Sequence, residues 1–181
     1  MTPKRVDVRV SGLGGQGAVL VGEILGRAAV YDEKYVVQTQ SYGAEARGSA
    51  ARSEVIISDK EIGFPKVRKC DILVAMSQDA LNKHLDDLKE NGILLVDKNK
   101  VRDVPKVKAK VFSIPATEIA ETASKSRIYV NTIMLGALTK ITGVVSEEAA
   151  KEAIVDTVPK ETIETNLESF GRGFEFVGSG D

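Results

Sequence analysis

Ser11-Gly12-Leu13-Gly14-Gly15-Gln16-Gly17 is the stretch that decides the fold of this chain. It follows the β-branched run Val6 to Val10 and opens onto a helical pattern at Ala18. Glycines 12, 14 and 17 therefore meet G-x-G-x-x-G in its strand–loop–helix setting. A loop with so few Cβ atoms lets backbone N–H groups and the start of a helix come close to an anionic group. Gly12, Gly14, Gly15, Gln16 and Gly17 are the candidate cofactor-binding residues.

Working outward, Val6-Asp7-Val8-Arg9-Val10 alternates strictly, leaving a polar face for either a polar layer or another subunit to cover. The helix over 18–31 carries Leu20, Val21, Ile24, Leu25, Ala28 and Ala29 at helical spacing. Ala18, Gly22 and Gly26 form a second stripe, where each interior glycine costs about 1 kcal/mol against alanine. Close packing, first of all onto the chain's own sheet, accounts for that stripe. Lys34 to Gln38 and Ser53 to Ser58 read as strands, with a loop from Gln40 to Arg52 between them.

Asp71 to Met76 and Gly92 to Val96 are continuous apolar runs, as in buried parallel strands. Between them Ala80, Leu81, His84, Leu85 and Leu88 mark a helix expected to stop at Asn91-Gly92. Lys110 to Ile114 is a further strand, and Pro115 opens a helix. The last third is helical over about 117–124, 129–142, 147–157 and 160–172. Ser146 caps the third of these, and Asn131 needs partners in a helix that is apolar nearly all round. The expectation is one α/β, Rossmann-like domain over 1–181, with its core over about 6–174. Its sheet is mostly parallel, flanked by helices, with a helical C-terminal third.

The 181 residues suit one well-buried domain. A net charge of -1 and the absence of Trp give no basis for nucleic-acid binding. No apolar run is long enough to span a membrane and no leader precedes Ser11, so a cytoplasmic protein is expected. One cysteine, Cys70, leaves no internal disulfide, thiolate zinc site or cysteine-ligated cluster, and no pattern marks a metal site.

A dinucleotide site usually has Asp or Glu at the end of the second strand for the ribose hydroxyls. Here that region reads Val36-Val37-Gln38-Thr39-Gln40, which argues against NAD(P). The loop after it carries Ser41, Tyr42, Gly43, Glu45, Arg47, Gly48 and Arg52, glycine hinges beside arginines able to meet carboxylate or phosphate. The competing account is a solvated loop whose arginines pair with Glu45 and Glu54.

Gly12-Leu13-Gly14-Gly15-Gln16-Gly17 followed by Ser41-Tyr42-Gly43-Ala44-Glu45-Ala46-Arg47-Gly48 resembles the gamma subunit of 2-oxoacid:ferredoxin oxidoreductases. Ser58-Asp59, Asp71, Gly92, Asn131 with Leu135-Gly136-Ala137, and Asn166 with Phe170 and Gly173 extend the resemblance over about 6–174. Thr39-Gln40-Ser41-Tyr42 and Ala75-Met76-Ser77-Gln78 look most like the 2-oxoglutarate branch, with the pyruvate and ketoisovalerate branches close. Ala44, where proline is common, and Ser49, where a second glycine is common, depart from the family's pattern.

The resemblance implies CoA-dependent oxidative decarboxylation of a 2-oxoacid to acyl-CoA, carbon dioxide and reduced ferredoxin. It places thiamine diphosphate and Mg in alpha and beta subunits, and iron–sulfur clusters in beta or a ferredoxin-like delta subunit. CoA is a co-substrate and ferredoxin the electron acceptor. The chain alone is expected to be inactive, with no cofactor of its own. The glycine loop and the 41–52 loop are expected to face the catalytic subunits, Gln16 offering its amide to a neighbour. Arg47 or Arg52 would neutralise CoA phosphate or substrate carboxylate. His84 and Cys70 read as packed residues, and Tyr42 as a proton donor or an interface residue. The alternatives are a free-standing nucleotide- or CoA-binding module and a small NAD(P)-dependent dehydrogenase.

Overall fold

A computed structural model describes residues 4–43, 50–123 and 126–178. The expected features that fall on 44–49, and the tail beyond 178, lie outside them. Among the described residues six strands form one sheet: β1 (Arg5–Leu13), β2 (Tyr35–Tyr42), β3 (Ala50–Ser58), β4 (Cys70–Ala75), β5 (Leu88–Asp97) and β6 (Lys110–Ile114). Their spatial order is β2-β3-β1-β4-β5-β6. β1, β4, β5 and β6 run parallel, while β3 is antiparallel to both β1 and β2. The sheet is mostly parallel, as expected, with an antiparallel hairpin added beyond β1.

The helices are α1 (Ala18–Tyr31), α2 (Gln78–His84), α3 (Ala116–Ala123), α4 (Val130–Thr142), α5 (Glu147–Thr157) and α6 (Ile163–Gly178). Val8, Val10, Val55, Val74 and Leu95 face a thick layer made by α1, α3, α4, α5 and α6. Ile56, Leu73, Leu94 and Val96 face a thin layer of α2 and connecting segments. Strands covered on both sides explain the continuous apolar runs in β4 and β5. No helix among the described residues is long and apolar enough to cross a membrane.

The polar face of β1 is covered from within the chain. Arg9 is 3% exposed; it binds Glu54 at 2.7 Å, donates to the Val67 carbonyl at 3.3 Å and also binds Asp87. Burial works against the Arg9 charge, and the hydrogen bonds to Glu54 and Asp87 and the attraction of Glu54 together offset it, leaving the pKa raised. The α1 glycine stripe likewise meets the chain's own sheet. A Cβ at Gly22 would lie 1.9 Å from Ser53 Oγ, whereas Gly26 makes ordinary contact with Val36 and Gln38.

Two boundaries differ from expectation. Gln40 to Tyr42 and Ala50 to Arg52 are not loop but the paired ends of β2 and β3, with Tyr42 opposite Ala51. Ladder hydrogen bonds override the turn-forming composition there. The helix expected to reach Asn91 ends at His84, followed by a 3₁₀ turn over Leu85–Asp87, and Leu88 begins β5. The register of β4 with β5 shifts between Cys70 and Ile72, so the Asn91-Gly92 pair serves a bulge rather than a helix stop. Asn91 has φ 62°. A Cβ on Gly92 would sit 2.8 Å from the Asp71 carbonyl oxygen.

Candidate functional site at the carboxyl end of the sheet

β1 does not end before the glycine motif. Gly12 and Leu13 remain paired with Ala51 and Ala50, so the turn itself comprises Gly14 to Gly17. Gly15 and Gly17 adopt φ 87° and 77°, the left-handed region that glycine enters without strain. Gly17 caps α1 by its backbone alone; no side chain caps this helix and its first turn has no acid. The positive end of the α1 dipole therefore has no carboxylate in its own first turn.

Gln16 is held from within the chain. Its Oε1 accepts from the Leu13 amide at 2.6 Å and its Nε2 donates to the Met76 carbonyl at 2.9 Å. The carboxamide thereby ties the glycine turn to the end of β4. Gly12 is needed there, because a Cβ would lie 2.6 Å from Gln16 Oε1. Gly17 lies against α4, where a Cβ would meet Asn131 Nδ2 at 2.3 Å.

The two motifs that stand far apart in sequence are neighbours in space. On β3, Arg52 lies between Ser41 of β2 and Ser11 of β1, and Ala51 between Tyr42 and Gly12. The Gly43 amide closes the hairpin end on the Ala50 carbonyl at 2.7 Å. Tyr42 is 61% exposed. Arg52 has Nε 3.6 Å from Glu54, so its guanidinium is partly engaged within the sheet. Glu45, Arg47 and Gly48 lie outside the described residues.

Beside the glycine turn is a cleft of about 320 Å³ lined by Gly15, Gln16, Asp97, Lys100, Arg127 and Ile128, among others. Its floor includes the fully buried Asp97, which accepts from Thr117 Oγ1 at 2.5 Å and from the Asn99 amide at 3.1 Å. Asp97, Arg127 and Ile128 were not among the expected site residues. Asp97 closes an apolar strand at its carboxyl end, where α/β sheets place ligand groups, and that position was its available signal. Ile128, 70% exposed on a 3₁₀ turn, had none. Another cleft, lined by Arg5, Asp71, Lys89 and neighbours, sits at the amino ends of the parallel strands.

The geometry also bears on the cofactor. β3 separates β2 from β1. The end of β2 thus stands one strand farther from the glycine turn than a dinucleotide ribose requires, and it carries Gln40-Ser41-Tyr42 rather than an acid.

His84 and Cys70 pack as expected. Burial, then the nearby charges of Arg9, Arg52 and Lys83, lowers the His84 pKa to about 4. Burial pushes the Cys70 thiol up to about 12.

Comparison with known proteins agrees along nearly the whole chain. The family model described as pyruvate ferredoxin/flavodoxin oxidoreductase matches residues 7–176. The 2-oxoglutarate synthase subunit KorC of Methanocaldococcus jannaschii is 53% identical over 174 residues, covering 94% of this chain and 93% of that protein. The gamma subunit of a keto/oxoacid ferredoxin oxidoreductase from Geobacter sulfurreducens superposes with a TM-score of 0.86 at 42% identity, covering 97% and 99% of the two chains. The fold recurs, at 24% identity and a TM-score of 0.89, over 32% of a longer chain of the 2-oxoglutarate:ferredoxin oxidoreductase from Magnetococcus marinus, covering 98% of this one.

Proposed function

The chain belongs to the pyruvate ferredoxin/flavodoxin oxidoreductase family, and from that premise we propose that it is the gamma subunit of a multi-subunit 2-oxoacid:ferredoxin oxidoreductase acting on 2-oxoglutarate. The complex converts the oxoacid and CoA to acyl-CoA and carbon dioxide while reducing ferredoxin. The 53% identity to a 2-oxoglutarate synthase subunit favours that substrate over pyruvate or ketoisovalerate. The chain acts as one domain within a cytoplasmic complex.

The observation that carries the role of this chain is the joining of the glycine turn and the β2–β3 hairpin end across Gly12, Ala51 and Tyr42. This face is the one presented to the alpha and beta subunits, with Tyr42 as its exposed aromatic contact. Arg47 and Arg52 supply positive charge toward CoA phosphate or substrate carboxylate. Thiamine diphosphate, Mg and the iron–sulfur clusters belong to the partner subunits. In support, the chain's one thiol, Cys70, is buried with its pKa raised to about 12. Such a thiol is a poor source of the thiolate a cluster needs.

The test is co-expression with candidate thiamine-binding and ferredoxin-like subunits. A single complex containing this chain, active with 2-oxoglutarate and CoA, is expected. Arg47→Ala and Arg52→Ala in that complex should raise KM for CoA or oxoacid. A chain that elutes alone and binds NAD stoichiometrically would replace this assignment with a dehydrogenase.

A further inference from the structure

The connection between β5 and β6 concentrates positive charge. Residues 98–110 hold Lys98, Lys100, Arg102, Lys106, Lys108 and Lys110 against a single acid, Asp103, in a chain of net charge -1. All six cations are exposed. Among the described residues only the Lys108 side chain has an ion-pair partner, Glu90 at 3.2 Å. Cations elsewhere are commonly matched, as in Arg9–Glu54, Lys34–Asp59 and Lys151–Glu147.

Before Lys110, where β6 begins, the segment has no regular secondary structure, yet it is tied down along its length. Gln78 Nε2 donates to the Asp103 carbonyl at 2.8 Å, and Gln78 Oε1 accepts from the Arg102 and Asp103 amides at 3.0 and 3.1 Å. The Val101 side chain is 4% exposed in the thin layer. The Lys98 amide donates to the Ile114 carbonyl at 2.8 Å and the Lys108 carbonyl accepts from the Asn91 amide at 2.6 Å. Cations on an anchored backbone lose less freedom on binding than the same charges on a free loop. Unmatched like charges held side by side repel one another, and an opposite surface relieves that repulsion.

We propose that this anchored basic strap is a docking surface for an acidic protein. Lys100 also lines the cleft beside Gly15, so the strap begins at the glycine-turn end of the sheet and runs to the start of β6. No aromatic residue lies within 98–110 to stack a base, so the segment lacks the usual single-strand nucleic-acid contact. The matching partner is a folded or extended polypeptide with carboxylates spaced along its surface.

The test uses the full chain with poly-L-glutamate as the acidic probe, and poly-adenylate and phosphatidylglycerol vesicles as competing polyanions. Binding is followed by titration calorimetry and by hydrogen-exchange protection of 98–110. Poly-L-glutamate is expected to protect the strap, and to lose about tenfold in affinity from low to physiological salt as screening grows. The Lys98→Glu, Lys106→Glu, Lys110→Glu triple variant should lose binding by about tenfold or more. The same charge change placed at Arg27, Lys151 and Lys160 should alter affinity by less than about twofold. Gln78→Ala, which frees the strap without altering its charge, should weaken binding by about two- to fivefold. A Lys→Gln triple variant with an unchanged melting temperature guards against loss through misfolding. Equal loss in the two charge-reversal sets, no binding at low salt, or stronger protection by poly-adenylate or vesicles would overturn the proposal. No partner subunit takes part, so failure here leaves the gamma-subunit assignment untouched.

Discussion

Asn131 on α4 stands against Gly17 so closely that a Cβ on the glycine would lie 2.3 Å from the Asn131 amide nitrogen. The contact fixes the first turn of α1 to α4, and Gly17 also holds φ 77°. Gly17→Ala therefore suffers both backbone strain and overlap. It should lower stability by about 2–4 kcal/mol in urea unfolding, combining the usual cost of a left-handed non-glycine residue with that of overpacking. Trimming the neighbour with Asn131→Ala should recover part of the overlap and none of the strain.

The crossing of α4 and α6 predicts opposite signs for nearby glycines. A Cβ at Gly136 would lie 2.1 Å from the Phe170 carbonyl oxygen, and one at Gly173 2.0 Å from that of Ile133. Backbone cannot rotate away as a side chain can. Gly173→Ala should cost at least about 3 kcal/mol, near the upper end of overpacking. Gly171 has nothing within 4 Å of the same position. Gly171→Ala should stabilise by about 0.5–1 kcal/mol through helix propensity, visible as a higher melting temperature.

Gln16 separates a donor loss from an acceptor loss. Gln16→Ala removes both bonds and should cost about 1–3 kcal/mol by leaving part-buried backbone groups unpaired. Gln16→Glu keeps an acceptor for the Leu13 amide but turns a carboxylate oxygen toward the Met76 carbonyl. It should be no better than alanine at pH 7 and recover as the pH falls and the carboxyl becomes a donor. Denaturant midpoints at pH 7 and pH 4.5 decide this.

His84 makes stability depend on pH in a stated direction. Its folded pKa is lowered to about 4 by burial and by Arg9. The unfolded value is about 6.5, so between these values the unfolded chain binds more protons than the folded one. Stability should then be lost as pH falls from about 6.5 to about 4, by on the order of 2–3 kcal/mol. Subtracting the same curve for His84→Asn should isolate this slope, and parallel curves would show that His84 does not cause it.

Cys70 should be silent toward thiol reagents in the native chain. It is fully buried, and its pKa is raised to about 12 by that burial. Labelling by a disulfide reagent at pH 8 should proceed only through unfolding, and its rate should rise with urea in step with the unfolded fraction.

Much of the parallel half of the sheet was legible from local pattern. Asp71 to Met76 and Gly92 to Val96 are apolar because β4 and β5 are covered on both faces, and such runs identify themselves. The α1 stripe and the Ser146 cap, which accepts from the Ala149 amide at 3.1 Å, were legible for the same local reason. The hairpin was not, since Gln40 to Tyr42 gains its strand character from β3 and not from its own residues. Nor was the fate of Asn91-Gly92, whose composition suits a helix stop and a bulge equally well.

By itself the sequence determined that a glycine turn joins a strand to a helix, that Val36 to Gln40 holds no acid for a ribose, and that a single cysteine cannot by itself ligate a cluster. Those are properties of residue type and spacing. Only the tertiary structure decided that Arg9 is covered by Glu54 and Asp87 of the same chain, and that Gln16 is engaged at Met76. It also brought Tyr42 to the glycine turn, because β3 lies between β2 and β1 and carries both in register. Each of these depends on which residues meet across the sheet, and hydrogen-bond register between distant segments is a property of the folded chain.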